Sequence, residues 1–290
     1  GVTESTTNVG QVYFSSNQFL NHSAVNPAFS LLSSMGKSKD FASEFNFFEE
    51  EKRAELFSGL YPVTDGDSIV QVLNTNRPNV LLILMEGFGG VFIEPLGGLP
   101  DVAPHLNRLS EEGVFFTNCY ANSFRTDRGT VCTLSGYLGL PTASVMKIPV
   151  KSRMLPALSE EMLKAGYATD FLYGGDINFT NMKSYLLSKG YQKLTADTDF
   201  SLAERTSNVW GVNDDITADW LLKQLKERTG EGRWFTTYLT LSSHEPFDVP
   251  YNRLEEKIPN AFAYTDECLG KLIDGLKQSE IWKDLLIICI

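Results

Sequence analysis

Two positions in this chain combine the residue type and the setting that catalysis needs. Glu86 follows an apolar run at residues 80–85 (VLLILM) and precedes Gly87-Phe88-Gly89-Gly90. A carboxylate at the carboxyl end of a buried strand, with glycines allowing close approach, suits a hard-metal ligand. Its alternative role is to cap the next helix or accept backbone amides. Thr126 lies in Ser123-Phe124-Arg125-Thr126-Asp127-Arg128-Gly129, ahead of residues 130–135, which can start a helix. A hydroxyl at a helix N-terminus sees amide N–H groups and the positive end of the dipole. Those features favour an anionic oxygen and a bound phosphoryl or sulfuryl group. A metal can lower the hydroxyl's pKa enough to make it a nucleophile. The competing role is an ordinary Thr N-cap with Asp127 in the first turn.

His244 stands in Ser242-Ser243-His244-Glu245-Pro246-Phe247, just past a strand. An imidazole there binds an anionic group or shuttles protons, or is simply a surface loop residue. The Tyr173-Gly174-Gly175-Asp176 turn also ends a strand. It either lines the same crevice or is a plain Gly-rich turn. The two other histidines, His22 and His105, have no comparable setting.

The elements that must position these residues alternate between strands and helices. Residues 80–85 read as a strand buried on both faces, bounded by Pro78 and Gly87. Residues 114–121 (VFFTNCYA) are strand-like. A helix is expected over 156–165, with Pro near its first turn and Gly166 past its end. A short strand follows at 168–173. Residues 214–226 place Ile216, Trp220, Leu221 and Leu225 on one side of a helix. A strand at 234–241, a helix over 262–276 and a final strand at 285–290 complete the series. The pattern predicts an α/β fold, a mostly parallel central sheet flanked by helices. Ligands collect at the carboxyl ends of such strands. Residues 1–76, rich in Ser, Asn and Phe with a charged helical patch at 47–56, read as an N-terminal helical arm. Residues 77–290 read as the main domain.

Composition removes several classes. The 290 residues carry 25 Lys+Arg against 36 Asp+Glu, a formal charge of −11. A nucleic-acid binder normally shows a basic surface, so no nucleic-acid partner is expected. With 42% hydrophobic and 12% aromatic residues the chain can bury a core and is not disordered. Four cysteines, Cys119, Cys132, Cys268 and Cys289, form no C-x-x-C pair, which excludes a zinc-ribbon spacing. No run of about 18 apolar residues could span a membrane. The chain begins with Gly1 and stops on a strand pattern, so it reads as an excised piece of a longer protein.

Taken together, residues 78–290 resemble the sulfatase-like branch of the alkaline phosphatase superfamily. PNVLLILMEGF resembles the family's first strand and metal carboxylate. APHLNRLSEEGVFFTNCY resembles its helix-to-strand segment, and AFAYTDECLGKLIDGLKQSEIWKDLLIICI its penultimate segment. The family's spacing from the aromatic closing that strand implies Thr126 as nucleophile. Cys132 falls six residues too late, lacks the Pro and Arg of the sulfatase motif, and is expected to pack inside the helix. A threonine disfavours a formylglycine sulfatase, since formylglycine is made from Cys or Ser. It implies phosphoryl chemistry.

Within that branch the chain is most similar to lipoteichoic acid synthases and phosphoglycerol transferases. The resemblance implies a phospho-threonine intermediate and one divalent metal at Glu86 and Thr126, Mn in preference to Zn or Mg. The expected partners are a lipid head-group substrate and an envelope acceptor. The implied location is the extracytoplasmic face of a bacterial membrane, reached through N-terminal helices outside this chain, as a monomer or weak oligomer. Phosphoethanolamine transfer, phosphodiester or sulfate-ester hydrolysis, and a catalytically silent glycan or lipid binder are the alternatives. His244 maps to the family's substrate-side histidine, and residues 24–29 (AVNPAF) match its arm.

The chain departs from the family at the glycerol-phosphate pocket. The family's His, Trp and Arg are replaced by Tyr173, Thr180 and Met182, which removes a bidentate phosphate clamp. Arg125 or Arg128 is expected to restore the charge, with Asp176 and Asn181 reading a polar head group. The family completes its metal site with an Asp-His pair expected just past Ile290. Glu86 and Thr126 alone offer too few ligands for tight binding. The 290-residue chain is therefore expected to be weakly metallated and inactive. Elemental analysis after dialysis should find well under one Mn or Zn per chain, and a stoichiometric metal would overturn the expectation.

Overall fold

The computed structural model describes residues 7–15, 17–35, 40–60, 70–228, 230 and 232–290. It divides into two compact units, Asn26–Asn74 and the remainder, Gly1–Val25 with Thr75–Ile290. In the larger unit, the first helix is α1 (Gln18–Ala24), capped by the Asn17 side chain on Phe19 N. The smaller unit holds α2 (Pro27–Met35), α3 (Phe41–Glu44) and α4 (Glu50–Leu60). None of the described residues in these three helices is buried. The charged patch expected at 47–56 is α4, with Glu50 and Glu51 in its first turn, where carboxylates favour the helix dipole.

The larger unit continues with strand β1 (Asn79–Leu84), then helices α5 (Pro104–Glu112), α6 (Thr126–Ser135), α7 (Pro149–Ser152) and α8 (Leu158–Lys164). Strand β2 (Ala168–Tyr173), α9 (Met182–Ser188), β3 (Lys193–Thr195), α10 (Leu202–Arg205) and α11 (Asp214–Lys226) follow. The chain ends with β4 (Trp234–Leu239), α12 (Lys257–Lys277) and β5 (Leu285–Cys289). All five strands are parallel, in the order β3-β2-β4-β1-β5. This is the mostly parallel, helix-flanked sheet that the alternation predicts. β1 and β4 are buried along their whole length, as strands apolar on both faces require.

One core packs Leu81, Ile83, Leu172, Trp234 and Tyr238 of the sheet against α11 and α12 through Leu221, Leu225, Leu269, Leu272 and Leu276. A second, aromatic cluster holds the turn that leaves β1. Phe92 stacks on Phe262 with ring centroids 4.0 Å apart, and Phe88 meets the same ring edge-on at 5.0 Å. Gly87 opens that turn at φ +67, a left-handed conformation that L side chains resist.

Three expectations need correction. Residues 114–121 form no strand; Val114, Phe116 and Tyr120 are exposed, and no described strand pairs with them. β-propensity reports fit to a pleated, half-buried surface, and without a neighbour it does not make a strand. The helix expected over 262–276 begins earlier, at Lys257, because Pro259 in its first turn is compatible with helical entry. The strand expected over 234–241 ends at Leu239, which frees Thr240 and the following residues for the edge described below. Replacing Phe262 with Ala should remove the stack on Phe92 and lower stability by about 3–5 kcal/mol, measured by urea unfolding. A loss within 1 kcal/mol would show that the aromatic cluster does not hold this turn.

Candidate active site

The site is set by how β1 and β4 run side by side. Leu84 pairs with Leu239, so the chains leave the sheet together at its carboxyl edge. Thr240 N donates to Leu84 O at 3.0 Å, and Glu86 N donates to Thr240 Oγ1 at 2.8 Å. Ser243 Oγ donates to Glu86 O at 2.6 Å. Both backbone groups of Glu86 are therefore held by residues following β4, and its half-buried carboxylate projects from a fixed point. Thr240 and Ser243 were not singled out from sequence.

Thr126 meets that carboxylate. Its Oγ1 donates to Glu86 Oε2 at 2.7 Å. Thr126 is the first residue of α6; the cap position belongs to Arg125, which makes no side-chain capping bond. The hydroxyl thus sits at the positive end of a ten-residue helix and faces away from the capping role. Asp127 is buried in the same turn, its Oδ2 without a hydrogen-bond partner among the described residues. Cys132 lies well along α6, half-buried, its Sγ 3.5 Å from Asn122 Oδ1. Burial raises its thiol pKa, which suits a spectator.

Tyr173 ends β2 opposite Leu239, at the same edge. Burial first, then the negative charges of Glu86 and Asp176, push its phenol well above the ordinary tyrosine range. It stays a neutral O–H donor. The turn beyond it needs glycine: a Cβ on Gly174 would lie 2.5 Å from Val212 O, and one on Gly211 2.2 Å from Gly174 O. Segment 208–212 is docked there, with Val212 N donating to Gly174 O at 2.9 Å.

The remaining expected residues are less free. Asp176 Oδ1 accepts from Asn178 N and Nδ2 at 2.9 and 3.0 Å. Asn181 is buried in a left-handed conformation, and its Nδ2 donates to Lys147 O at 3.1 Å, so it faces the protein on that side. Arg128 lies over the Phe124 ring at 5.1 Å and reaches Pro141 O at 3.3 Å. Arg125 is exposed beside Thr126. His244 is half-buried one residue beyond Ser243, hence next to the hydrogen bond that holds Glu86.

The loop carrying His244 is anchored by a residue that sequence inspection placed only as a helix start. Asp214, the first residue of α11, is buried. Its carboxylate accepts Leu241 N at 2.8 Å, Ser242 N at 3.0 Å and Thr265 Oγ1 at 2.8 Å. Burial raises its pKa while these bonds oppose the shift. Asn213-Asp214 ahead of an amphipathic helix was the readable signal; that its carboxylate holds a loop 27 residues away was not.

A carboxylate and a hydroxyl converging at 2.7 Å fit a hard divalent cation in kind. Among the described residues no group of three or more His, Cys, Asp or Glu gathers, so the pair supplies two positions of such a site.

A parallel sheet with this pair at its carboxyl edge is the fold of an enzyme of the alkaline phosphatase type. Residues 78–290 match the sulfatase family, and the chain belongs to it. It is 31% identical over 128 residues to an ulvan-active sulfatase of Formosa agariphila, covering 39% of this chain and 21% of that protein. It is similar to a protein in the alkaline phosphatase superfamily from Vibrio parahaemolyticus, with TM-score 0.69 and 29% identity over 74% of this chain and 54% of the other. It shares its fold with the lipoteichoic acid synthase LtaP from Listeria monocytogenes, with TM-score 0.66 and 17% identity over 73% and 55% of the chains. The chain therefore spans about half the length of these solved structures and about a fifth of the ulvan-active sulfatase.

The anchoring role of Asp214 has a direct test. Asp214→Ala leaves three donors without their acceptor and should lower stability by about 3 kcal/mol or more, whereas Asp214→Asn, which keeps the shape and one acceptor, should lose less. Urea unfolding of both variants decides it, and equal losses would contradict the anchor.

Proposed function

We propose that the protein of which this chain is part is a metal-dependent transferase that moves a phospho-head group from a membrane lipid to an envelope acceptor. The observation that carries this reading is the hydrogen bond from Thr126 Oγ1 to Glu86 Oε2 at the N-terminus of α6. It joins a nucleophile, a proton acceptor and a helix dipole at one point. Thr126 Oγ1 loses its proton and bonds to phosphorus as the bond to the diacylglycerol oxygen breaks; that oxygen takes up a proton and leaves. An acceptor hydroxyl then bonds to phosphorus, the Thr126 oxygen departs, and the two oxygens exchange a proton. The helix N-terminus stabilises negative charge developing on the phosphoryl oxygens. Tyr173, kept protonated, and Arg125 are the donors available to those oxygens.

A divalent cation, Mn in preference to Zn or Mg as the family resemblance implies, would be held by Glu86 and Thr126; when bound it would lower the hydroxyl's pKa and offset phosphoryl charge. Ile290 N donates to Ile83 O and Ile290 O accepts Met85 N at 2.8 Å, one residue before Glu86. An extracytoplasmic location is part of the same proposal; among the described residues no helix is long and apolar enough to cross a membrane.

Phosphoglycerol and phosphoethanolamine are both compatible with this chemistry. Sulfate-ester hydrolysis has one observation in its favour, the similarity to an ulvan-active sulfatase. Threonine at the nucleophile position weighs against it, since it cannot become formylglycine.

In the full-length protein, incubation with a lipid phosphodiester and no acceptor should add the head-group phosphate to the peptide containing Thr126, read by mass spectrometry. Thr126→Ala and Glu86→Ala should each lower turnover about 10³-fold or more. A water-only control separates transfer from hydrolysis. Turnover retained by Thr126→Ala would end the reading.

A further inference from the structure

The carbonyl oxygen of Glu245 receives two hydrogen bonds from ring nitrogens. Trp210 Nε1 donates to it at 2.5 Å, and His244 Nδ1 lies 2.8 Å from it. A carbonyl has no proton to give, so the proton in the second bond belongs to Nδ1. In neutral His244 the other nitrogen, Nε2, then carries a lone pair and can only accept. Trp210 also packs against the imidazole, with ring centroids 4.7 Å apart and planes at 62°. One indole thus fixes both the carbonyl that selects the tautomer and a side of the ring.

Trp210 is itself held firmly, although 43% of its surface is exposed. Its backbone N donates to Asn208 Oδ1 at 3.0 Å, and Asn208 and Gly211 exchange backbone hydrogen bonds across the turn. Asn208 Nδ2 reaches Asn213 Oδ1 at 3.1 Å and Asp248 O at 3.2 Å, tying the turn to the start of α11 and to the far side of the His244 loop. An exposed tryptophan restrained this way, on the rim of the site, is placed for orientation more than for burial.

We propose that Trp210 is a positioning residue that holds His244 as the Nδ1–H tautomer, leaving Nε2 bare for an alcohol substrate. The inference rests on His244 being the substrate-side group of the proposed reaction, and it deepens that reading. A bare Nε2 accepts an O–H and repels a phosphoryl oxygen, so neutral His244 is matched to the hydroxyl-bearing acceptor and not to the phosphate of the donor. The same matching extends to the substrate class: a partner offering an alcohol to Nε2 fits, and one offering only anionic oxygens does not.

The tautomer can be read without any reaction. Long-range proton–nitrogen correlation spectra of the ¹⁵N-labelled 290-residue chain, at a pH where the imidazoles are neutral, report which nitrogen of each ring is protonated. His22→Gln, His105→Gln and His244→Gln assign the three rings. His244 should show a protonated Nδ1 and a bare Nε2. Trp210→Phe keeps an aromatic ring while removing the N–H donor; it should move both nitrogens toward the exchange-averaged values of a free imidazole. An Nε2–H tautomer in the parent chain overturns the proposal without need of any variant, and so does a Trp210→Phe spectrum unchanged at His244. In the full-length enzyme, Trp210→Phe should raise KM for the acceptor about tenfold more than KM for the lipid donor, the scale of one lost hydrogen bond to a reacting group. An equal rise for both would mean a merely structural residue. Absence of phosphorylated Thr126 would defeat the reaction and leave the tautomer result standing, so the two failures are distinguishable.

Discussion

The parallel pairing of β1 with β4 is the constraint on which the rest of the site depends. Its register places Leu84 beside Leu239, so the two chains leave the sheet at the same height. From that single alignment follow the bond from Glu86 N to Thr240 Oγ1 and the bond from Ser243 Oγ to Glu86 O. A side chain in a strand alternates faces with every residue, so a slip of one position would exchange Leu81 and Ile83, packed against α11 and α12, with the residues of the sheet's other buried face. The register is therefore held by how two differently packed faces fit, and the polar edge inherits its geometry from the core. Function here begins as packing.

Two helices turn their N-termini toward that edge, and they do different things. α6 begins at Thr126 and offers its dipole to whatever binds the hydroxyl. α11 begins at Asp214, whose buried carboxylate accepts from Leu241 N, Ser242 N and Thr265 Oγ1 on neighbouring segments. At α11 the terminal carboxylate joins neighbouring segments, whereas at α6 the terminal hydroxyl faces the carboxylate of Glu86.

Much of this was legible in the sequence because it is local. The run at 80–85 announces a doubly buried strand, and Glu86 follows at its carboxyl end. Thr126 is noticeable from its position before a helix, and its spacing after Tyr120 means something only through the family resemblance. Trp210 and Thr240 were not readable, because their relevance depends on β4 lying between β2 and β1, an order that differs from the order along the chain. Residues 114–121 failed in the opposite direction. Their composition suits a strand, yet Phe116 and Tyr120 are 73% and 84% exposed with no neighbouring described strand to pair with. Local propensity names what a segment can be; pairing decides what it is. Asn181 shows the same limit for polar groups, since its left-handed backbone turns the amide toward Lys147 O.

Charge balance finally narrows what the edge can accept. The chain carries a formal −11, and the phenol of Tyr173 is held high first by burial and then by the charges of Glu86 and Asp176. A phosphodiester, the substrate of the proposed reaction, would meet the charges of Glu86 and Asp176 at that edge. The positive contributions beside Thr126 are the α6 dipole and Arg125, while Arg128 lies over Phe124 and reaches Pro141 O. A helix N-terminus is worth about half an elementary charge, which does not offset two carboxylates. A divalent cation held by Glu86 and Thr126 would offset that charge, as the proposed phosphoryl chemistry requires. The same acidity that argues against nucleic acid as a partner makes the proposed chemistry conditional on metal.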